Sequence, residues 1–211
     1  MFNINLTSIK ISNYIGKELQ YTPQQVDTIR YGLEIIIGGI IKGLLIFSIA
    51  YILGIFKLVL ISTITIGFLR LISVGAHCTS YNRCLVFSLF FLVLIIKISN
   101  FVLPLFDNVS IVFIAILTII LGIYSAIKYV PLKNYNREIK NKKKIKFLKI
   151  LTIGYLLCWF IIVYVCNNYS NLFNIYIIVS SFSLLFHLAS LFPVGRFFIE
   201  KTDHLLSNII N

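Results

Sequence analysis

Six apolar segments, each near the length needed to cross a lipid bilayer, dominate this 211-residue sequence. A helix that spans the hydrocarbon core needs about 20 predominantly apolar residues. The backbone of such a segment must satisfy its own hydrogen bonds within the bilayer, which favours a helix. The third segment is short. The segments lie at about 33–56, 58–75, 85–98, 109–127, 147–166 and 174–193.

The composition agrees with this interpretation. Hydrophobic residues make up 59% of the chain and charged residues only 12%, whereas soluble domains carry about 25% charged residues. These values exclude a soluble globular domain. We predict an all-α integral membrane protein with about six hydrophobic helical segments. Because spans and short loops use up the chain, we expect a single polytopic membrane domain over residues 1–211.

The first 34 residues are more polar and are expected to lie on the membrane surface. Thr22, Pro23 and Gln25 match an N-cap, a first helical residue and a capping-box partner, which predicts a helix that starts at 23 and enters the first span. No cleavable signal peptide is expected at this polar start. Before it, four apolar residues recur at the spacing of an interfacial amphipathic helix: Ile4, Ile11, Ile15 and Leu19.

The distribution of cations predicts the orientation in the cell membrane. Residues 128–149 hold nine cations against the single anion Glu138, and cytoplasmic loops collect Lys and Arg. We therefore predict a basic cytoplasmic loop at 128–149. Counting spans outward from it places both termini and the turn at 76–84 in the cytoplasm. The cations are Lys128, Lys133, Arg137, Lys140, Lys142, Lys143, Lys144, Lys146 and Lys149.

That turn carries His77 and, seven residues later, Cys84. A thiol beside an imidazole is the minimum requirement for a cysteine nucleophile. A straight helix would separate the two residues by about 10.5 Å along its axis, so the helix must break between them. In that geometry His77 would take the thiol proton and Cys84 would attack as a thiolate. Arg70 and Arg83 are candidates to stabilise the thiolate, and Arg70 is the more informative because a charge near the end of an apolar span is costly without a partner. Gly75 would supply a flexible point upstream.

Two other interpretations stay open at this point. His77, Cys78 and Cys84 could bind a metal, but the other two cysteines lie on a distant span and the chain has no Cys-x-x-Cys pair. We rank a metal site below catalysis and expect no metal and no cofactor. The second alternative is a small multispan transporter or channel component, in which His77 and Cys84 are incidental.

The pattern resembles the AgrB family, the membrane-embedded cysteine endopeptidases of Gram-positive quorum sensing. The family pattern is an Arg, then Gly-x-His, then a Cys seven residues after the His, and here these are Arg70, Gly75, His77 and Cys84. A Cys follows the His where the family commonly has a small residue, and we expect Cys78 to be a bystander. Further similarity lies at residues 30–32, at 50–53 and in the Lys-rich segment from Pro131 to Lys146.

The resemblance implies a substrate and a mechanism. The substrate would be an AgrD-like propeptide with an amphipathic front, a central signal sequence and an acidic tail. Cys84 would cleave behind the signal sequence with His77 as base and hold the signal as a thioester, which an internal Cys or Ser would close to a thiolactone or lactone. The resemblance also implies a homodimer in the lipid bilayer and no nucleic acid partner.

Further charged residues are candidates for supporting roles. Lys142, Lys143 and Lys144 would attract the acidic tail of the propeptide. Glu34 could orient His77 or pair with Arg70, although a solvated carboxylate at a helix start is the simpler explanation. Lys42 lies well inside the first span, where it either extends to the membrane surface or lines a substrate cavity.

Overall fold

The computed structural model describes residues 4–73, 75, 78–131 and 141–209, and all regular secondary structure in these ranges is helical. Six of the helices, α2 to α7, are long and apolar enough to cross a membrane. The predicted all-α membrane fold is confirmed. Short 3-10 turns at Leu103–Leu105 and Asn171–Phe173 extend α4 and precede α7. The α-helices are α1 (Ile4–Glu18), α2 (Pro23–Ile52), α3 (Phe56–Ser73), α4 (Tyr81–Val102), α5 (Asn108–Tyr129), α6 (Lys142–Tyr169), α7 (Asn174–Ala189) and α8 (Pro193–Ser207).

The chain forms two compact units, Met1–Gly54 and Ile55–Asn211. The single domain expected over 1–211 stays a prediction. In the N-terminal unit, α2 begins at Pro23 with a complete capping box. The Thr22 N–H donates to Gln25 Oε1 at 2.8 Å, and the Gln25 N–H donates to Thr22 Oγ1 at 3.4 Å. The predicted helix start is confirmed.

In the same unit, α1 packs on α2 through small residues rather than through its apolar ones. Ser8, Ser12 and Gly16 recur every four residues and are buried, and a Cβ added at Gly16 would overlap Val26. The predicted helix is confirmed, and its exposed apolar side chains, such as Ile11 at 37% exposed, stay outside this contact. They are therefore available to a membrane surface, and the interfacial location stays a prediction.

In the C-terminal unit, α7 is the central helix. More than half of the residues of this span are buried, whereas no other span exceeds one third. It packs against α3, α4 and α5, and short hydroxyl side chains allow the helices to approach closely. Ser62 Oγ on α3 and Ser183 Oγ on α7 lie 2.6 Å apart, and the Trp159 ring nitrogen of α6 donates to Ser180 Oγ at 3.2 Å.

The C-terminal unit has two ends of different chemistry. At one end, amide side chains join α5 to the start of α7, because Asn108 donates to Asn171 and accepts from Asn174, each at 3.0 Å. We call this the amide end. At the other, Lys149 Nζ donates to the Ile127 carbonyl. The turn between α3 and α4, the end of α5, the start of α6 and the helix α8 all lie at this second end, which we call the basic end.

Three segment boundaries differ from the predicted ones. The helix α4 spans 22 residues, so the third segment is not short, because Asn82, Arg83 and Asn100 lower the hydropathy of its ends without breaking the helix. The basic segment is helical from Lys142, since Lys is a good helix former. Residues 132–140 of that segment lie outside the described residues. Beyond the last span, Pro193 opens α8 as its first helical residue.

Candidate active site

The helix breaks where the sequence requires it, since α3 ends at Ser73 and α4 begins at Tyr81. His77 lies outside the described residues. Cys84 lies in the first turn of α4, partly buried, and its backbone N–H donates to the Ser80 carbonyl at 3.0 Å. Side chains of a helix lean toward its N-terminus, where the backbone dipoles carry partial positive charge. The candidate nucleophile therefore lies at the positive end of α4.

Arg70 lies in the last turn of α3, partly buried. Its guanidinium forms a hydrogen bond with the side chain of Cys84 and interacts electrostatically with both Cys84 and Cys78. The structure thus brings together Arg70 and Cys84, which are 14 positions apart in the sequence. The guanidinium and the N-terminus of α4 therefore lie at the same thiol group. Cys78 is a second thiol beside the same charge.

Gly75 is buried, in the connection between α3 and α4, and it lies against the end of α7. A Cβ added there would come within 3.0 Å of Ser190 Oγ and 3.1 Å of His187 Cε1. The sequence-based role for Gly75 was a flexible point. The contacts give a second reason for glycine, which is that no side chain fits without displacing these neighbours.

His187 anchors α7 to the end of α3 at the same level. Its Nε2 lies 2.8 Å from Ser73 Oγ, and both residues are buried. The Ser73 hydroxyl donates its one proton to the Leu69 carbonyl at 2.7 Å, so Nε2 of His187 must carry the proton of this hydrogen bond. The buried imidazole is a packing residue that fixes α7 beside Gly75.

Asp203 on α8 contacts the turn that precedes Cys84, and sequence reasoning missed it. Its Oδ2 accepts from the Thr79 N–H at 3.1 Å and from Thr79 Oγ1 at 2.8 Å. Arg83 Nη1 forms an ion pair with Oδ1 at 3.2 Å. The available signal was the amphipathic pattern of 193–207 behind Pro193, which predicts a helix able to return to the membrane edge.

Glu34 and Lys42 belong to the N-terminal unit. Glu34 lies about three turns into α2 rather than at a helix start. Its Oε1 accepts from Arg30 at 2.7 Å and from Asn5 at 2.9 Å. Lys42 is partly buried in the middle of α2. The pairings of Glu34 with His77 or Arg70, and the cavity role of Lys42, stay predictions.

The three lysines predicted to attract the substrate tail open α6. Lys142, Lys143 and Lys144 are all exposed in its first turn, where the helix terminus adds partial positive charge. In the described ranges, no three side chains of His, Cys, Asp or Glu lie close enough to hold a metal ion. Because His77 is outside those ranges, the ligand set His77, Cys78 and Cys84 is not addressed by this finding.

Comparison with known proteins gives consistent matches. The family profile described as Accessory gene regulator B matches residues 8–191. An AgrB-like protein of Clostridium perfringens strain SM101 is 33% identical over 157 residues, which cover 71% of this chain and 72% of that protein. Accessory gene regulator protein B of Staphylococcus aureus strain bovine RF122 is 27% identical over 179 residues, covering 83% and 91% respectively. No solved structure matches significantly.

Proposed function

The chain belongs to the accessory gene regulator B family, and we propose that it is a membrane cysteine endopeptidase that removes the acidic tail of a short quorum-sensing propeptide. The observation that carries this proposal is the hydrogen bond between Arg70 and Cys84, at the first turn of α4. A cation and a helix N-terminus at one thiol favour its nucleophilic form.

In the proposed reaction, the proton of the Cys84 thiol passes to the imidazole of His77. The thiolate attacks the carbonyl carbon of the last residue of the signal sequence. The C–N bond to the tail breaks, and the leaving amine of the tail takes the proton from His77. The signal remains on Cys84 as a thioester. A thiol or hydroxyl within the substrate then attacks this thioester, the bond to Cys84 breaks, and a thiolactone or lactone ring closes.

Substrate recognition follows from the charges of the basic end. Lys142, Lys143 and Lys144 are exposed at the N-terminus of α6, in the same unit and at the same end as Cys84. An acidic tail would be attracted to these ammonium groups and to the helix terminus. The distribution of cations leads us to propose a cytoplasmic active site, and the family resemblance leads us to propose a homodimer.

The test replaces Cys84 with Ser or Ala in purified, bilayer-reconstituted protein that is supplied with a propeptide carrying an acidic tail. We expect loss of cleavage in both variants. Cys158→Ala is the matched control, because Cys158 is an exposed thiol on α6, and it should cleave at the wild-type rate. Unchanged cleavage in the Cys84 variants would overturn the proposal and favour a transport or channel role.

Arg70→Gln provides a second arm of the same test. The variant removes the cation beside the thiol, and we expect the alkylation of Cys84 by iodoacetamide at neutral pH to slow about tenfold, equivalent to ~1.4 kcal/mol. Arg70→Lys keeps the charge and should recover part of the rate. Equal alkylation rates in wild type and Arg70→Gln would exclude a thiolate-stabilising role for Arg70.

A further inference from the structure

A carboxylate is buried at the basic end of the C-terminal unit. Asp203, on α8, is 7% exposed. A buried charge is costly unless neighbouring groups compensate it. The compensating groups therefore show what this carboxylate holds in place.

The groups that compensate Asp203 are Thr79 and Arg83, which lie 120 or more positions away in the sequence. Oδ2 accepts two hydrogen bonds from Thr79, and Oδ1 pairs with Arg83 Nη1. Arg83 also donates from Nη1 to the Asp203 carbonyl at 3.1 Å and from Nη2 to Thr79 Oγ1 at 3.0 Å. The three residues form one connected network, which we call the Asp203 clamp.

Thr79 and Arg83 of the Asp203 clamp lie on either side of Ser80, the residue that immediately precedes α4. Arg83 directly precedes Cys84, and Thr79 precedes Ser80, whose carbonyl accepts the Cys84 N–H. Ser80 is the N-cap of α4, yet its side chain makes no capping hydrogen bond. An N-cap side chain ordinarily fixes the first turn of a helix. Here Asp203 supplies that restraint from another helix by accepting the N–H and the hydroxyl of Thr79.

The helix that carries Asp203 is itself held in place. A Cβ added at Gly195 would overlap the Ala189 carbonyl, so the first turn of α8 lies directly against the end of α7. Phe198 of α8 packs edge-on against Phe91 of α4, with ring centroids 6.0 Å apart. Arg196 donates from both Nε and Nη2 to the Leu191 carbonyl. α8 is therefore held against α7 and α4 in the turns that precede Asp203.

We infer that Asp203 is a positioning residue for Cys84, and that α8, through the Asp203 clamp, sets the orientation of the nucleophile. The inference rests on the proposed function for its catalytic consequence. Asp203 acts through Thr79 and Arg83. Its loss should therefore lower turnover more than substrate binding, because small displacements of a reacting group cost about 10²-fold in rate.

The experiment compares Asp203→Ala and Asp203→Asn in reconstituted protein. We expect kcat for propeptide cleavage to fall about 10²-fold in Asp203→Ala with KM nearly unchanged. Asp203→Asn should lose less, since its amide oxygen still accepts from Thr79. Glu200→Gln is the matched control, because Glu200 is an exposed carboxylate one turn earlier on α8, and it should retain wild-type kcat.

A second readout needs no propeptide. In protein whose other three cysteines are replaced by Ala, the alkylation rate of Cys84 should change in Asp203→Ala and stay unchanged in Glu200→Gln. Thr79→Val removes the hydroxyl that Asp203 accepts from. The double variant Asp203→Ala with Thr79→Val should therefore change the alkylation rate and kcat no more than either single variant does. If Asp203→Ala does not fold, kcat and the alkylation rate of Cys84 are both measured in Asp203→Asn.

The outcomes separate the two proposals. Unchanged kcat and unchanged alkylation in the Asp203 variants would overturn the positioning role, as would fully additive effects of Asp203→Ala and Thr79→Val. Wild-type cleavage in Cys84→Ala would overturn the proposed function instead. The alkylation measurement would still decide whether Asp203 positions Cys84.

Discussion

Gly75 follows the end of α3 and lies against the C-terminal end of α7. An added Cβ would meet Ser190 Oγ and His187 Cε1 at distances tighter than ordinary van der Waals contact. Both neighbours are constrained. Ser190 Oγ donates to the His187 carbonyl at 2.6 Å, and the His187 ring is hydrogen-bonded to Ser73. Steric crowding therefore favours glycine at this position.

We predict that Gly75→Ala destabilises the protein by about 1–3 kcal/mol, the usual cost of inserting a methyl group into a close-packed site. The measurement is the midpoint of thermal unfolding in detergent, together with the rate of propeptide cleavage. Gly154→Ala is the control, since no atom lies within 4 Å of a Cβ there. Because Ser190→Ala removes the nearest atom, the pair Gly75→Ala and Ser190→Ala should be less unstable than the sum of the single changes. Equal midpoints for Gly75→Ala and Gly154→Ala would contradict the prediction.

The residues of the candidate site differ in how far the sequence predicts them. Arg70 and Cys84 were predicted as partners, and they meet because the helix breaks between them. Asp203 was missed because its partners Thr79 and Arg83 are brought near only by the return of α8. Local sequence spacing contains no information on a contact between residues so far apart.

Among the elements, the start of α2 was predictable and the start of α4 was not. Thr22, Pro23 and Gln25 form a capping signal within four residues, and the structure has that capping box. At the start of α4, the N-cap Ser80 makes no side-chain capping hydrogen bond, and the preceding Thr79 N–H donates to Asp203 of α8. The apolar spans were predicted because bilayer length leaves few alternatives. Their polar ends were less predictable, because exposed residues such as Lys142 lower the hydropathy and yet belong to the helix.

The N-cap of α5 gives a prediction of pH dependence. Asp107 caps α5 by accepting the Ser110 N–H at 3.0 Å, together with the Ser110 hydroxyl. The hydroxyl bond and then the N–H bond hold the pKa of Asp107 below its usual value of 3.8. A folded-state pKa below the unfolded one means that the carboxylate stabilises the fold above about pH 4, and that this contribution is lost as the pH falls through the folded value.

We therefore expect Asp107→Ala to lower the midpoint of thermal unfolding at about pH 7, and to lower it less at about pH 3. Asn141 caps α6 without a charge by accepting the Lys143 N–H at 2.9 Å. Asn141→Ala is thus the matched control and should lower the midpoint equally at both pH values. A loss in Asp107→Ala that is the same at both pH values would contradict an ionised cap.

At the scale of the whole C-terminal unit, charge is concentrated at one end. The basic end carries Arg70, Arg83, the lysines that open α6 and Arg196 of α8. The amide end carries the linked side chains Asn108, Asn171 and Asn174. Membrane proteins retain Lys and Arg on the cytoplasmic side. The proposed active site lies at the basic end. The active site and the cations of this end therefore face the same compartment.

We predict that the basic end faces the cytoplasm, where a free thiol at Cys84 stays reduced. The measurement uses protein without its native cysteines, given one new cysteine at an exposed polar position near either end. Asn168→Cys, near the amide end, should react in intact cells with a membrane-impermeant maleimide. Lys142→Cys, at the basic end, should react only after the cells are permeabilised. The reverse pattern would place Cys84 outside the cell and remove the cytoplasmic propeptide from its reach.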